Sequence, residues 1–157
     1  MNIWFYLNTT VIIIATWQLV QRYPSITLHV IIGFIGLGFF LFNWTRHAVF
    51  STIRETSDRK LKIRLAIMSK KIVPFHRWIG NIALLIILGH AYLVLNLFGF
   101  YWSNPKMISG VLALLFLVAM VTTGWMRLIK PTVKKRKAHI YIGMTLFFLI
   151  TLHIIIG

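Results

Sequence analysis

Five long apolar stretches are the feature that most limits how this chain can fold. A helix needs about 20 mostly apolar residues to cross a hydrocarbon core of about 30 Å, because each residue adds about 1.5 Å of rise. The 157 residues hold five such stretches, and their mean hydropathy is +0.82. We therefore predict an all-α membrane protein. It forms one domain over residues 1–157, a bundle of five transmembrane helices at about 3–20, 26–45, 75–102, 107–127 and 138–157.

The basic residues predict how the bundle is oriented. Seventeen Lys and Arg residues stand against two carboxylates. Nine of the cations lie between Arg46 and Arg77 and six between Arg127 and Lys137, so five spans place both basic loops on one face. The positive-inside rule makes that face cytoplasmic. We expect a cytoplasmic N-terminus and an outer C-terminus, in a plasma membrane or a bacterial inner membrane.

A basic segment at residues 51–72 separates predicted spans two and three, and it mixes cationic with apolar residues. This composition predicts an interfacial segment that lies on anionic membrane lipid. A docking surface for an acidic electron-donating protein is the alternative. A nucleic-acid role is disfavoured despite a pI of about 11.1, because the cations flank membrane spans and no nucleic-acid-binding fold accompanies them.

The scarcity of acids and the absence of cysteine restrict the chemistry. Glu55 and Asp58 are the only carboxylate side chains, which argues against paired-carboxylate catalysis and acidic metal cages. Without cysteine the chain cannot hold an iron–sulfur cluster in the usual way, bind zinc through thiolates or attach haem covalently. The candidate functional groups are therefore the six histidines.

Four of these histidines recur with the same spacing in two predicted spans. His76 and His90 lie 14 residues apart in span three, and His139 and His153 lie 14 residues apart in span five. Fourteen residues rise about 21 Å along a helix and return to within about 40° of the same face. Spans three and five run in the same direction, so we predict that His76 faces His139 at one depth and His90 faces His153 at another.

Opposed imidazoles at two depths are typical of bis-histidine ligation of b-type haem, and we predict two non-covalent haems, one in each leaflet. A zinc or copper site is disfavoured, since neither level has a carboxylate or thiolate to complete the shell. Glycine follows each inner histidine by four residues, at Gly80 and Gly143. Position i+4 shares the histidine's face, so glycine would leave room for a porphyrin.

The remaining polar residues receive supporting roles. His29 and His47 lie on one face of span two, and we predict that they hydrogen-bond around the haems or stabilise the fold. His29 falls near the outer histidine depth, so it remains an alternative outer ligand. Arg77, with Lys130 and residues 134–137, is expected to pair with haem propionates, where cations favour the reduced state.

The segments FHRWIGNIALLIILGHAYL and KAHIYIGMTLFFLITLH resemble the transmembrane domain of the ferric reductase and NADPH oxidase group, and the resemblance covers about residues 26–157. In that family two helices each provide two histidines to a pair of haems. The resemblance implies that His76 and His139 bind the inner haem and that His90 and His153 bind the outer one. Transmembrane cytochromes b that use ascorbate, or that dock on haem-binding extracellular domains, have similar spacing and remain an alternative.

The sequence contains no Rossmann fingerprint, so we expect no flavin- or nicotinamide-binding domain in this chain. The resemblance then implies an electron conduit, a reductase subunit whose donor is another polypeptide, a quinol or a small reductant. Ferric iron, oxygen, quinone and a protein all remain possible acceptors. Two alternatives stay open: a haem-containing anchor of a larger respiratory complex with no direct substrate reaction, and a haem-free transporter or assembly factor.

Overall fold

Five helices account for nearly all of the computed structural model, which describes residues 2–22 and 26–156. All five are long and apolar enough to cross a membrane. The predicted all-α bundle of five helices is confirmed, and the chain is an integral membrane protein. Gly157, the last residue of the fifth predicted span, lies outside the described residues. The helices are α1 (Ile3–Arg22), α2 (Leu28–Glu55), α3 (Arg59–Phe98), α4 (Pro105–Ile129) and α5 (Val133–Ile156).

The helices pack as two hairpins, with α1 bridging them. Contacts are most extensive between α2 and α3 and between α4 and α5. Helix α3 meets α4 less extensively, and α1 packs against both α2 and α5. Helices α3 and α5, which carry the repeated histidines, do not pack closely against each other along their lengths. Their histidines can therefore face each other across a gap.

Helices α2 and α3 extend beyond their predicted spans on the basic side. Helix α2 continues to Glu55, and α3 begins at Arg59 and runs through Pro74 to Phe98. Residues 51–72 therefore lie in the end of α2, a connection at 56–58 and the first part of α3. The 40 residues of α3 are about 60 Å long, roughly twice the hydrocarbon thickness, so its first part extends beyond the membrane core.

Both carboxylates have structural partners at this end of the bundle. Asp58 Oδ1 accepts hydrogen bonds from the backbone N–H groups of Lys60 and Leu61, at 2.8 and 3.2 Å. This is an N-cap, which satisfies two donors in the first turn of α3. Glu55 accepts hydrogen bonds from the Ser51 hydroxyl and from the Asn2 amide, and so holds the start of the chain against the end of α2.

Aromatic side chains fill the centre of the bundle. The Trp44 ring stacks on Phe147 with centroids 5.4 Å apart, and Trp4 packs edge-on against both rings. Leu146 is fully buried beside them. In sequence, Phe147 lies between the two histidines of α5, so this core separates the two histidine levels. Burial of large aromatic rings is a major source of packing energy, and here it joins α1, α2 and α5.

Candidate functional site

The inner histidines of α3 and α5 face each other. The ring centroids of His76 and His139 are 6.3 Å apart, and the ring planes are nearly perpendicular at 79°. Both rings line a cavity with about 480 Å³ of empty space, part of which is open to the surroundings of the bundle. Helices α3 and α4 provide most of its lining, and α2 and α5 contribute to it. Its remaining lining consists of Phe40, Asn43, Arg77, Gly80, Asn81, Ala83, Leu117, Met120, Val121, Gly124 and Trp125.

A threonine on α4 orients His139. The Nδ1 atom of His139 lies 3.0 Å from the Thr123 hydroxyl oxygen. That hydroxyl donates its own proton to a carbonyl one turn earlier in α4, with the Ala119 oxygen 2.8 Å away. With the hydroxyl proton directed to this carbonyl, the hydroxyl oxygen offers a lone pair to His139, and Nδ1 is assigned as the donor. The Nε2 atom of His139 consequently keeps its lone pair.

His153 is held in the same way at the other end of α5. Its Nδ1 atom lies 3.1 Å from the Ser109 hydroxyl oxygen and 3.1 Å from the Lys106 carbonyl oxygen. Ser109 itself donates to the Lys106 carbonyl at 2.9 Å. A carbonyl oxygen can only accept, so Nδ1 of His153 carries the proton and Nε2 is free to bind a metal.

A backbone carbonyl of α2 orients His90. Its Nδ1 atom lies 2.7 Å from the carbonyl oxygen of His29, which fixes the same tautomer. The His29 ring lies farther away, with its centroid 6.5 Å from that of His90, and its Nδ1 contacts the Thr27 hydroxyl at 3.2 Å. His90 and His153 are close enough to interact electrostatically. The structure thus brings His29 and His90 together at the outer level, with His153 within electrostatic range of His90.

Glycines on the neighbouring helices make room for the His90 and His153 rings. A Cβ atom on Gly33 of α2 would lie 2.9 Å from the His90 ring. On α4, a Cβ atom on Gly110 would lie 3.0 Å from the His153 ring, and one on Gly124 would lie 3.5 Å from His139. Real Cβ atoms essentially never lie as close as the first of these, so glycine permits the packing.

Helix α4 therefore contains a repeated element that matches the repeat of α5. Ser109–Gly110 and Thr123–Gly124 are hydroxyl–glycine pairs 14 residues apart, the same spacing as His153 and His139. The hydroxyl of each pair provides an acceptor for one ring, and Gly110 also provides space for the His153 ring. Our sequence analysis did not identify these residues, although the equal spacing on adjacent helices could have indicated them.

The two glycines predicted to clear space for a porphyrin have different surroundings. Gly80 lines the inner cavity, and a Cβ atom there would meet only the Asn43 amide nitrogen, at 3.5 Å. A Cβ atom on Gly143 would lie 2.9 Å from the Trp44 ring and 3.2 Å from Met120 Cε. Gly80 thus borders open space, whereas Gly143 serves the packing of Trp44 in the core.

His76 differs from the other three repeated histidines. Its Nδ1 atom is buried and has no hydrogen-bond partner. Its backbone carbonyl accepts a hydrogen bond from the Asn43 amide at 3.1 Å, which ties α3 to α2 at this level. The tautomer of His76 is therefore not fixed by a neighbouring group, in contrast to that of His139 across the cavity.

Arginines surround the inner pair. Arg77 lines the cavity. Arg46 of α2 and Arg127 of α4 both interact electrostatically with His76 and His139, which our sequence analysis did not anticipate. Lys130, Lys134 and Lys137 are exposed, and Lys135 Nζ donates to the Met126 carbonyl at 3.3 Å. Three arginines therefore contribute positive charge at the inner site, Arg77 on its lining and Arg46 and Arg127 through electrostatic interaction with the histidines.

His47 packs as an aromatic ring in the fold. It stacks on Trp44 with centroids 4.8 Å apart and meets Trp4 edge-on at 4.9 Å.

Within residues 2–22 and 26–156, no group of three or more His, Cys, Asp or Glu side chains could hold a metal ion. An iron bound at either level would therefore depend on two histidines and on ligands that come with the cofactor.

Comparisons of the chain with protein-family models, with curated proteins and with solved structures found no match.

Proposed function

We propose that this chain is a di-haem b-type cytochrome, a reductase subunit that moves electrons across the membrane from a cytoplasmic donor to an outer acceptor. The observation that carries the proposal is the orientation of His139, His153 and His90. Acceptors fix the Nδ1 proton of each ring, which leaves the Nε2 lone pair available. Metal-binding histidines typically donate their second ring nitrogen to a carbonyl or another acceptor in this way.

The spacing of the inner rings supports an iron between them. A metal–imidazole bond is about 2 Å long, and each bonding nitrogen lies about 1 Å from its ring centre, so two histidines on opposite sides of one metal have centroids about 6 Å apart. The His76–His139 centroid distance is 6.3 Å. Haem brings four ligands of its own, so two histidines at each level are sufficient.

The cavity beside the inner pair has the polarity that a haem requires. Apolar side chains of α2 and α4 line much of it, including Phe40 and Leu117, and would contact the macrocycle. Arg77 on the lining would pair with a propionate, and Arg46 and Arg127 would add positive charge nearby. Fixed positive charges at this position favour the reduced state of a nearby redox centre.

At the outer level we propose His90 and His153 as the ligand pair. His29 would support His90 through its carbonyl oxygen, and Ser109 and Lys106 would support His153. The histidines of each helix are separated by about 21 Å along its axis, which would place one haem in each leaflet. Haem supplies one-electron chemistry when bound, and the protein sets its position and electrostatic surroundings.

The direction of transfer follows from the basic face. We propose that this face is cytoplasmic in a plasma membrane or a bacterial inner membrane, as the positive-inside rule implies. An acidic donor protein would be attracted to it, and a quinol is the alternative donor. The resemblance of α3 and α5 to ferric reductase-like domains adds support for electron transfer to an outer acceptor.

The test is haem content in the purified protein and its variants. We expect two haems per chain by pyridine haemochrome analysis, and a loss of about one in each of His139→Ala and His90→Ala. His47→Ala is the control, because His47 packs between tryptophans, and it should keep both. A folded but colourless protein would refute the proposal.

Reoxidation of the reduced protein by an external acceptor distinguishes an electron conduit from a haem-containing anchor, because the haems of an anchor would stay reduced.

A further inference from the structure

A second cavity lies between α2 and α3, on the basic side of the inner histidine pair. It contains about 400 Å³ of empty space, part of which is open to the surroundings of the bundle. Most of its lining is apolar, and three polar residues contribute to it. The lining residues are Phe42, Thr45, Arg46, Val49, Met68, Ser69 and Ile72.

Two hydrogen-bond donors in this lining have no partner. The Nε atom of Arg46 and the hydroxyl oxygen of Ser69 are both buried, and neither makes a hydrogen bond. Ser69 is only 4% exposed. Leaving such groups unpaired is costly, above all for a charged guanidinium. Because both groups can donate into the same cavity, its missing occupant is expected to be an acceptor, and the positive charge of Arg46 favours an anion.

The chain's own carboxylates have other partners. Asp58 caps α3 through two backbone N–H groups, and Glu55 accepts hydrogen bonds from Ser51 and Asn2. Neither residue lines the cavity. An anion that pairs with Arg46 there would therefore come from outside the chain.

The depth of the cavity indicates where that anion comes from. Arg46 immediately follows predicted span two, which ends at residue 45, and Ser69 precedes predicted span three, which begins at residue 75. These span ends predicted from sequence put the cavity at the level of the lipid headgroups on the basic face. Its apolar lining, with Phe42, Val49 and Ile72, suits the glycerol and upper acyl chains of a lipid better than a fully hydrated free ion. Basic pockets between transmembrane helices on the cytoplasmic side are common binding sites for anionic lipid headgroups.

We propose that this cavity is a specific site for the phosphodiester group of an anionic phospholipid. Arg46 Nε and the Ser69 hydroxyl donate hydrogen bonds to the phosphate oxygens. The apolar lining holds the glycerol end of the lipid. The proposal rests on the α2–α3 hairpin alone and does not depend on haem binding.

The experiment is native mass spectrometry of the full chain, purified in mild detergent from membranes that contain anionic and zwitterionic phospholipids. We expect wild type to retain an anionic phospholipid adduct. In Arg46→Gln its occupancy should fall about tenfold or more, because the hydrogen bond to a charged partner is lost. Ser69→Ala should lower it several-fold. Lys70→Gln is the matched control, since Lys70 is the exposed neighbour of Ser69, and it should keep the adduct.

Several results would overturn this proposal. One is the absence of an adduct in wild type, and another is equal retention by Arg46→Gln and Lys70→Gln. Ser69→Ala keeps the test decisive if Arg46→Gln fails to fold, because equal retention by Ser69→Ala and wild type would also contradict the site. Delipidated protein should bind added anionic phospholipid more tightly than inorganic phosphate. Equal affinity for the two would assign the cavity to free phosphate and overturn the lipid assignment.

Discussion

The Nδ1 atom of His139 on α5 lies 3.0 Å from the hydroxyl oxygen of Thr123 on α4, and that hydroxyl donates its proton back to its own helix. The contact fixes which nitrogen of His139 is available for a metal. It therefore gives an otherwise ordinary threonine in a membrane helix a specific role at the proposed inner haem.

Replacing Thr123 by valine removes this acceptor and should weaken retention of the inner haem. The Nδ1 proton would be left buried without a partner, and the ring would lose its orientation. Loss of such an outer partner typically costs 10–100-fold in metal affinity, and we expect about that increase in the rate of haem transfer to a scavenging apoprotein. Thr122→Val is the control, because Thr122 is exposed on the same helix. Equal haem loss from both variants would contradict the role of Thr123.

His29→Ala and His153→Ala should have different effects at the outer level. The contact of His29 with His90 uses the backbone carbonyl, which alanine keeps, so His29→Ala should retain about two haems per chain. His153→Ala removes a proposed ligand and should retain about one. Haem content from the pyridine haemochrome spectrum distinguishes the two results. Loss of one haem in His29→Ala, with two retained in His153→Ala, would make His29 the ligand.

The two predicted porphyrin-facing glycines should respond differently to alanine. Gly143→Ala places a Cβ 2.9 Å from the Trp44 ring and should lower the free energy of unfolding by about 1–3 kcal/mol, as overpacking does. Gly80→Ala meets only an ordinary contact with Asn43, so the fold should survive, but the methyl group enters the cavity and should reduce inner haem content.

Thermal unfolding in detergent and haem content together test this difference. Gly38→Ala is the control for both variants, since a Cβ atom there meets nothing within 4 Å. Full haem content in Gly80→Ala would show that the space beside Gly80 is not needed for the cofactor.

Arg127→Gln should lower the midpoint potential of the inner haem. Arg127 interacts electrostatically with both inner histidines, and removing a positive charge disfavours the added electron. At a moderate effective dielectric the loss is roughly 1 kcal/mol, or about 40 mV for one electron. Lys134→Gln makes the same charge change at an exposed position and should shift the potential much less. Equal shifts in a redox titration would indicate a general effect of net charge.

The sequence was sufficient to predict the five-helix bundle, because span length and hydropathy depend directly on membrane thickness. It did not predict that α3 is one helix from Arg59 through Pro74 to Phe98. The mixed basic and apolar composition of residues 51–72 led us to predict an interfacial segment separate from span three. The N-cap at Asp58 and packing against the extended end of α2 account for the helix beginning earlier.

The histidines of the candidate site could be selected from sequence, but their supports could not. Ionisable residues within spans are rare, so His76, His90, His139 and His153 stood out. Ser109 and Thr123 are common residues in membrane helices, where hydroxyls and glycines usually indicate ordinary helix packing. The spacing of four residues predicts that Gly143 lies on the same helix face as His139. Only the three-dimensional structure shows that the Trp44 ring packs against Gly143.

The equal spacing on α4 and α5 also constrains how this hairpin can change length. Ser109 contacts His153 and Thr123 contacts His139 at the same time. One residue inserted into α4 between Ser109 and Thr123 would turn one hydroxyl by about 100° relative to the other. Only one imidazole could then keep its acceptor. Insertions and deletions should therefore be tolerated in the turn at 130–132. A single residue inserted between the paired positions of either helix would instead break one of the two hydroxyl–histidine contacts.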